Sequence, residues 1–189
     1  TRFVLTEIQT IPGASENGVA ETFPLAGPRS LYGATKLASE LLIEEYVATY
    51  GVSAIINRCG VVTGPWQMGK VDQGVIVLWV ARHIFGGKLS YIGYGGSGKQ
   101  VRDFLHIDDL FEAINIQIKN FDTYKGQIFN VGGGNELSTS LKELTLICEK
   151  ITGTSITISP VQEARQADVK IYITDSTKFQ TLSGWKPKK

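Results

Sequence analysis

Long apolar runs are missing from this sequence: no stretch of its 189 residues reaches the ~20 needed to span a bilayer, and the N-terminus carries no signal-peptide pattern. Cysteine is scarce too. Cys59 and Cys148 are the only two, too few for a disulfide framework and without metal-ligand spacing, so a reducing cytoplasm is the default location and no metal is expected. Charge of one sign is also lacking. The 19 Lys and Arg and 18 Asp and Glu leave a net +1 scattered along the chain, which excludes the footprint of a nucleic-acid or anionic-membrane binder. The first thirty residues hold no glycine turn able to cradle a pyrophosphate, and no methionine precedes Thr1, so the chain reads as lacking its beginning.

What is present suits a globular protein, with 42% hydrophobic residues supplying one good core. Residues 11–31, rich in Gly and Pro, read as a long surface loop. Leu37, Leu41, Leu42 and Tyr46 recur at helical spacing over 31–50, with Ser30 as the cap and Gly51 as the stop. Val52-Ser-Ala-Ile-Ile56 then reads as a buried parallel strand, closed by a turn over Gly60–Pro65, where open α/β sheets place ligands. A second helix is expected over Val71–Phe85 and a strand over Leu89–Ile92. The Gly93-Tyr-Gly-Gly-Ser-Gly98 run could expose backbone N–H groups as a phosphate cradle, but it lacks the P-loop lysine-serine ending and reads as a tight hairpin. Further strands are expected over Val101–His106, Gln127–Val131, Thr154–Val161 and Lys170–Thr174. Helices should open at Ile107, at Ser138 or Thr139, and at Asp175.

Chemistry enters with Tyr32-Gly-Ala-Thr-Lys36. Side chains four apart share a helix face, so the Lys36 ammonium can favour the Tyr32 phenolate and make it a usable base for an alcohol proton. The positive end of the helix dipole acts in the same direction. His106 and His83 read as packing or hydrogen-bonding residues, and Trp66, Trp79 and Trp185 as core or interface anchors.

Six motifs then follow in order: Tyr32-x-x-x-Lys36, Arg58 with Gly64-Pro65, Arg102-Asp103-Phe104 with Asp109, Phe129-Asn130-Val131-Gly132-Gly133, Arg165-x-x-Asp168, and Leu182-Ser-Gly184-Trp185-x-Pro187. This order resembles the extended short-chain dehydrogenase/reductases that modify nucleotide sugars. Gly64-Pro65-Trp66-Gln67 and Gly69-Lys70-Val71-Asp72-Gln73-Gly74 are most similar to the CDP-paratose (CDP-tyvelose) 2-epimerase branch. The resemblance covers only the C-terminal half of such an enzyme. It implies an α/β fold: the C-terminal part of a Rossmann-type doubly wound parallel sheet plus a smaller α/β substrate-binding domain. Residues 1–65 would be the tail of the NAD-binding domain. Residues 66–189 would be mainly the nucleotide-sugar domain, with segments returning to the Rossmann sheet.

The same resemblance implies an NAD-dependent epimerase, NAD being preferred to NADP, acting through a transient keto-sugar on a nucleotide-linked sugar, with a homodimer as a further expectation. Tyr32 would be the acid/base, Lys36 would also hold the nicotinamide ribose, and Arg102, Arg165, Lys70 and Gln73 would bind substrate. For the arginines the competing reading is an ion pair, Arg102 with Asp103 or Asp109 and Arg165 with Asp168. Rival functions are a nucleotide-sugar 4,6-dehydratase and a non-catalytic assembly relative. Two departures stand out. Val61-Val62-Thr63 replaces the stretch where many members carry a substrate-contacting asparagine, and the upstream catalytic Ser/Thr is unplaced, Thr6, Thr10 and Ser15 being candidates by distance. Without a glycine fingerprint, the chain alone should bind NAD poorly and be inactive.

Overall fold

The computed structural model describes residues 1–4, 12–27, 29–70, 74–164 and 168–189. Among these the elements run β1 (Ala14–Ser15), β2 (Gly18–Val19), α1 (Leu31–Tyr50), β3 (Ile56–Cys59), β4 (Val61–Thr63), α2 (Val75–Phe85), β5 (Leu89–Ile92), β6 (Val101–His106), α3 (Ile107–Lys119), α4 (Phe121–Tyr124), β7 (Ile128–Val131), β8 (Ser138–Ser140), α5 (Leu141–Thr152), β9 (Ile158–Val161), β10 (Ile171–Tyr172) and α6 (Thr177–Ser183). The loop expected over 11–31 thus contains a small antiparallel hairpin, β1 on β2.

Helix α1 forms where its end signals place it. The Ser30 hydroxyl accepts from the Gly33 amide at 3.1 Å, and Gly51, at φ 65°, returns its N–H to the Val47 carbonyl. The next strand differs from expectation. Pairing starts only at Ile56, because the 52–55 run meets no strand partner among the described residues, and it passes beyond the expected turn. β3 pairs parallel with β7, Arg58 opposite Asn130, and β4 pairs parallel with β6, Thr63 opposite His106. Gly60 makes the switch. A side chain there would meet the Asp103 carboxylate at 2.9 Å and the Thr174 hydroxyl at 3.0 Å, so only glycine lets one strand change partners at this point. β6 also carries β10 in parallel on one side and β8 antiparallel.

The glycine run 93–98 is not a hairpin. β5 pairs parallel with β9 while β6 pairs with β4, so the run crosses from one sheet to another. Helix α5 is capped by Ser140, the last residue of β8, rather than by Ser138 or Thr139, which lie further back along that strand, paired with β6. Ser140 and Glu143 then close a reciprocal capping box. Helix α6 starts at Thr177, two residues later than expected, with the Asp175 carboxylate accepting from the Thr177 amide at 2.9 Å.

Two apolar clusters hold these layers. Leu105, Ala113, Tyr124, Phe129, Val131, Phe179 and Trp185 form one beneath β6, β7, α3 and α6, and Trp79, Leu89, Leu144 and Cys148 form the other between α2, β5 and α5. Trp79 and Trp185 are therefore core anchors, as expected. Trp66 is not in the core: it stands 96% exposed at φ 69°.

Candidate functional site

On α1 the two residues of the Tyr-x-x-x-Lys motif face the same way. Lys36 Nζ lies 5.3 Å from the centroid of the Tyr32 ring, and the ring is 68% exposed, so the phenol reaches solvent with an ammonium beside it. Beside α1 lies a cavity of about 380 Å³ whose lining includes Gly33, Lys36, Glu40, Arg58, Asn130 and Tyr172; of the motif pair, Lys36 lines it and Tyr32 does not. Arg58 and Glu40 join across it. Two nitrogens of the Arg58 guanidinium donate to the Glu40 carboxylate at 2.7–3.1 Å, and a third bond reaches the Glu21 carbonyl at 3.3 Å. The Glu40 carboxylate holds the guanidinium above its ordinary range, against the pull of burial. Sequence reasoning singled out Arg58 only as a motif letter and missed Glu40. The available signal was spacing: Glu40 lies one turn beyond Lys36.

Arg102 is engaged, and not with either partner expected of it. It donates to the Asp168 carboxylate at 2.6 Å, to the Val169 carbonyl at 2.7 Å and to its own Val101 carbonyl at 2.7 Å. Asp103 faces the opposite side of β6, where it is fully buried and accepts from the Gly133 and Gly134 amides at 2.9 and 3.3 Å. Burial holds its carboxyl above the usual carboxylate range, with those amides and Thr174 pulling the other way. A Cβ at Gly132 would meet the Asp103 carboxylate at 2.4 Å and one at Gly133 the Phe104 carbonyl at 2.1 Å, so close packing requires these two glycines, while Gly134 is needed for its φ of 66°. Asp109 is buried as well and accepts from the Lys188 and Lys189 amides at 3.1 and 2.9 Å.

Lys70 is exposed in the stretch between β4 and α2, and among the described residues no contact joins it, or Arg102, to the Tyr32–Lys36 pair. Gln73, Arg165, Thr6 and Thr10 lie outside the described residues. Ser15 sits in β1, where its hydroxyl accepts from the Asn17 amide at 3.1 Å. His106 caps α3, its Nδ1 accepting from the Asp108 amide at 3.2 Å, in keeping with a hydrogen-bonding role.

The glycines at 93, 95 and 98 match the spacing of a dinucleotide turn, but the run leads into β6 and not into a helix, and the first turn of α5 meets it through the Lys142 amide, which donates to the Gly98 carbonyl at 2.8 Å. Close packing explains two of its glycines. A Cβ at Gly96 would meet Pro160 at 2.4 Å, and one at Gly98 would meet the Tyr91 ring at 2.7 Å. Among the described residues no three His, Cys, Asp or Glu side chains could hold a metal ion, and no helix is long and apolar enough to cross a membrane.

Comparison with known proteins gives a consistent result. The model of the NAD dependent epimerase/dehydratase family matches residues 3–132. The CDP-paratose 2-epimerase of Salmonella typhi is 28% identical over 84% of this chain and 47% of its own length. A dTDP-glucose 4,6-dehydratase of an Actinoplanes species is 30% identical over 99% of this chain and 55% of its own. The crystal structure of UDP-glucuronic acid 4-epimerase from Bacillus cereus, in complex with UDP-glucuronic acid and NAD, superposes with a TM-score of 0.80 at 27% identity, covering 95% of this chain and 54% of that one. The chain thus spans about half the length of the relatives it matches. The mixed α/β architecture with parallel strand pairs is that of the Rossmann-type NAD epimerases.

Proposed function

The chain belongs to the NAD dependent epimerase/dehydratase family, and on that premise we propose that the protein carrying it epimerises a nucleotide-linked sugar, with Tyr32 and Lys36 as the acid/base pair. The observation that carries this reading is the Lys36 ammonium 5.3 Å from an exposed phenol at the open N-terminal part of α1. Among the described residues neither side chain makes an ion pair, so the three donors of Lys36 suit the hydroxyls of a cofactor ribose. The residues present fit that end of NAD and not its pyrophosphate, for which no glycine-rich turn joins a strand to a helix among the described residues.

When bound, NAD supplies reversible hydride acceptance at the sugar carbon. The residues of this chain move the proton. Tyr32 Oη takes it from the sugar hydroxyl, with the Lys36 ammonium over its ring, and the phenol returns the proton to the oxygen as the carbon is re-reduced on its other face. Similarity to the CDP-paratose enzyme supports C2 of a CDP-hexose as the position inverted. Arg165, Lys70 and Gln73 are assigned to the nucleotide pocket. Arg102 joins them with two N–H donors left, three being held by Asp168, Val169 and Val101. The division near residue 65 fits the parallel pairing of β3 with β7 and β4 with β6, which returns later segments to the first sheet. The exposed apolar residues of α1 suit a homodimer, and two free cysteines suit the cytoplasm.

A second reading rests on the Actinoplanes relative: a 4,6-dehydratase would use the same tyrosine and lysine. Product mass separates the two, since elimination loses water and epimerisation does not. The main test is Tyr32→Phe and Lys36→Ala in the full-length protein with CDP-hexoses. The expected result is a loss of turnover of about 100-fold or more for each, and undiminished turnover in both overturns the reading.

A further inference from the structure

Helix α1 carries the proposed acid/base pair, yet none of its 20 residues is buried. Among the described residues its tie to the sheet is a polar node. Arg58 lies in β3, backbone-paired to β7, and its guanidinium grips both carboxylate oxygens of Glu40, the two side chains being only 20% and 18% exposed. The same guanidinium donates to the Glu21 carbonyl. The Glu21 carboxylate in turn accepts from the Asn130 amide at 2.6 Å, and the Asn130 side chain donates to the Val19 carbonyl at 2.8 Å. One arginine therefore ties the helix, two strands and the segment that leads into the helix.

We propose that Arg58 and Glu40 are positioning residues: their forked ion pair helps set the orientation of α1 and thereby of Tyr32 and Lys36. The proposal rests on the acid/base reading of those two residues. Glu40 is one turn from Lys36 and two from Tyr32, so a rotation of the helix about its axis would swing all three together. A bidentate guanidinium–carboxylate pair has a fixed plane and resists that rotation, which an ammonium in its place would not. Stability alone is a poor reason for such a pair, because apolar replacements of similar volume often leave a fold equally stable. Orientation is a better one: misplacing a reacting group by about 1 Å costs on the order of 100-fold in rate.

The test uses the full-length protein with Arg58→Lys, Glu40→Gln and the apolar double variant Glu40→Leu/Arg58→Met, beside Tyr32→Phe. Expected is a fall in kcat of roughly 10- to 100-fold in all three with the sugar KM within about twofold. The double variant should keep a thermal midpoint near that of the parent while its kcat stays low, and its Tyr32–Lys36 amides should exchange hydrogen faster. A double variant whose stability and kcat recover together, or single variants with unchanged kcat, overturns the proposal. If Tyr32→Phe itself turns over normally, the acid/base reading is what has failed. The exchange arm then decides the clamp alone, and unchanged exchange at residues 32–36 ends it.

Discussion

Helices α1 and α5 begin alike, on a serine whose hydroxyl accepts from the amide three residues on, and end alike, on a glycine in the left-handed region. Between those ends they are opposites. α5 sinks Leu144, Thr145 and Cys148 against Trp79 and Leu89, and Trp79 Nε1 donates to the Thr145 hydroxyl at 2.9 Å. α1 buries nothing and exposes Leu31, Leu41, Leu42, Tyr46 and Tyr50 around its circumference. Ends are local, set by a hydroxyl and a missing Cβ, whereas a helix interior is stabilised by whatever covers it. Among the described residues α1 is tied to the sheet by the Arg58–Glu40 pair, and its apolar side chains stand open for a cover.

The widest gap between the two should appear on truncation. Trp79→Ala or Leu144→Ala should cost about 3–5 kcal/mol in denaturant unfolding, from lost burial and the cavity left behind. In this chain as a monomer, Leu42→Ala or Tyr46→Ala on α1 should stay within about 0.5 kcal/mol. A loss of 2 kcal/mol or more at those α1 positions would mean that the helix is covered in the protein as it exists, and the contrast would then belong to this chain alone. The ends should behave as equals. Gly51→Ala and Gly153→Ala, at φ 65° and 68° with open space around both, should each cost about 1 kcal/mol, the strain of a Cβ in the left-handed region. Unequal costs would break the claim that the two ends are locally determined.

That division also explains what was legible in the sequence. The end residues of α1, the run of β6 into α3, and the Tyr32–Lys36 juxtaposition follow from spacing and capping, which are local, and each stands where its residues place it. What was misread depended on partners far along the chain. The start of β3 is set by β7, some 70 residues away. Ser138 and Thr139 look like caps until β8 lies on β6. Arg102 looks adjacent to Asp103, but alternation along a strand sends the two to opposite faces, and Asp168 arrives only through the β10 pairing. Gly93–Gly98 resembles a phosphate turn in composition because close approach of Pro160 and Tyr91 demands the same residue that a phosphate would.

The smallest expected effect distinguishes the two first turns by pH. α1 has no acidic residue there, whereas Glu143 of α5 accepts from the Arg2 guanidinium at 2.9 Å, from the Ser140 amide and from the Thr1 hydroxyl. These contacts, Arg2 foremost, hold its carboxyl down to about 2 against the raising effect of burial. A folded pKa below the unfolded one gives stability that is complete above the unfolded value of about 4.3 and is lost as pH falls towards 2. Arg2 is 36% exposed, so solvent screening leaves about 1 kcal/mol or less of this in practice. Asp103 acts with the opposite sign: burial raises its carboxyl, so its contribution is largest at low pH and fades as pH rises through the folded value. The two would mask each other in a single titration. The informative quantity is the difference in unfolding free energy between the parent and Glu143→Gln, which cancels Asp103. It should shrink between pH 5 and pH 2, while the cost of Ser30→Ala on α1 stays flat across the same range. A Glu143→Gln difference independent of pH would show that α5, like α1, is capped by its hydroxyl alone.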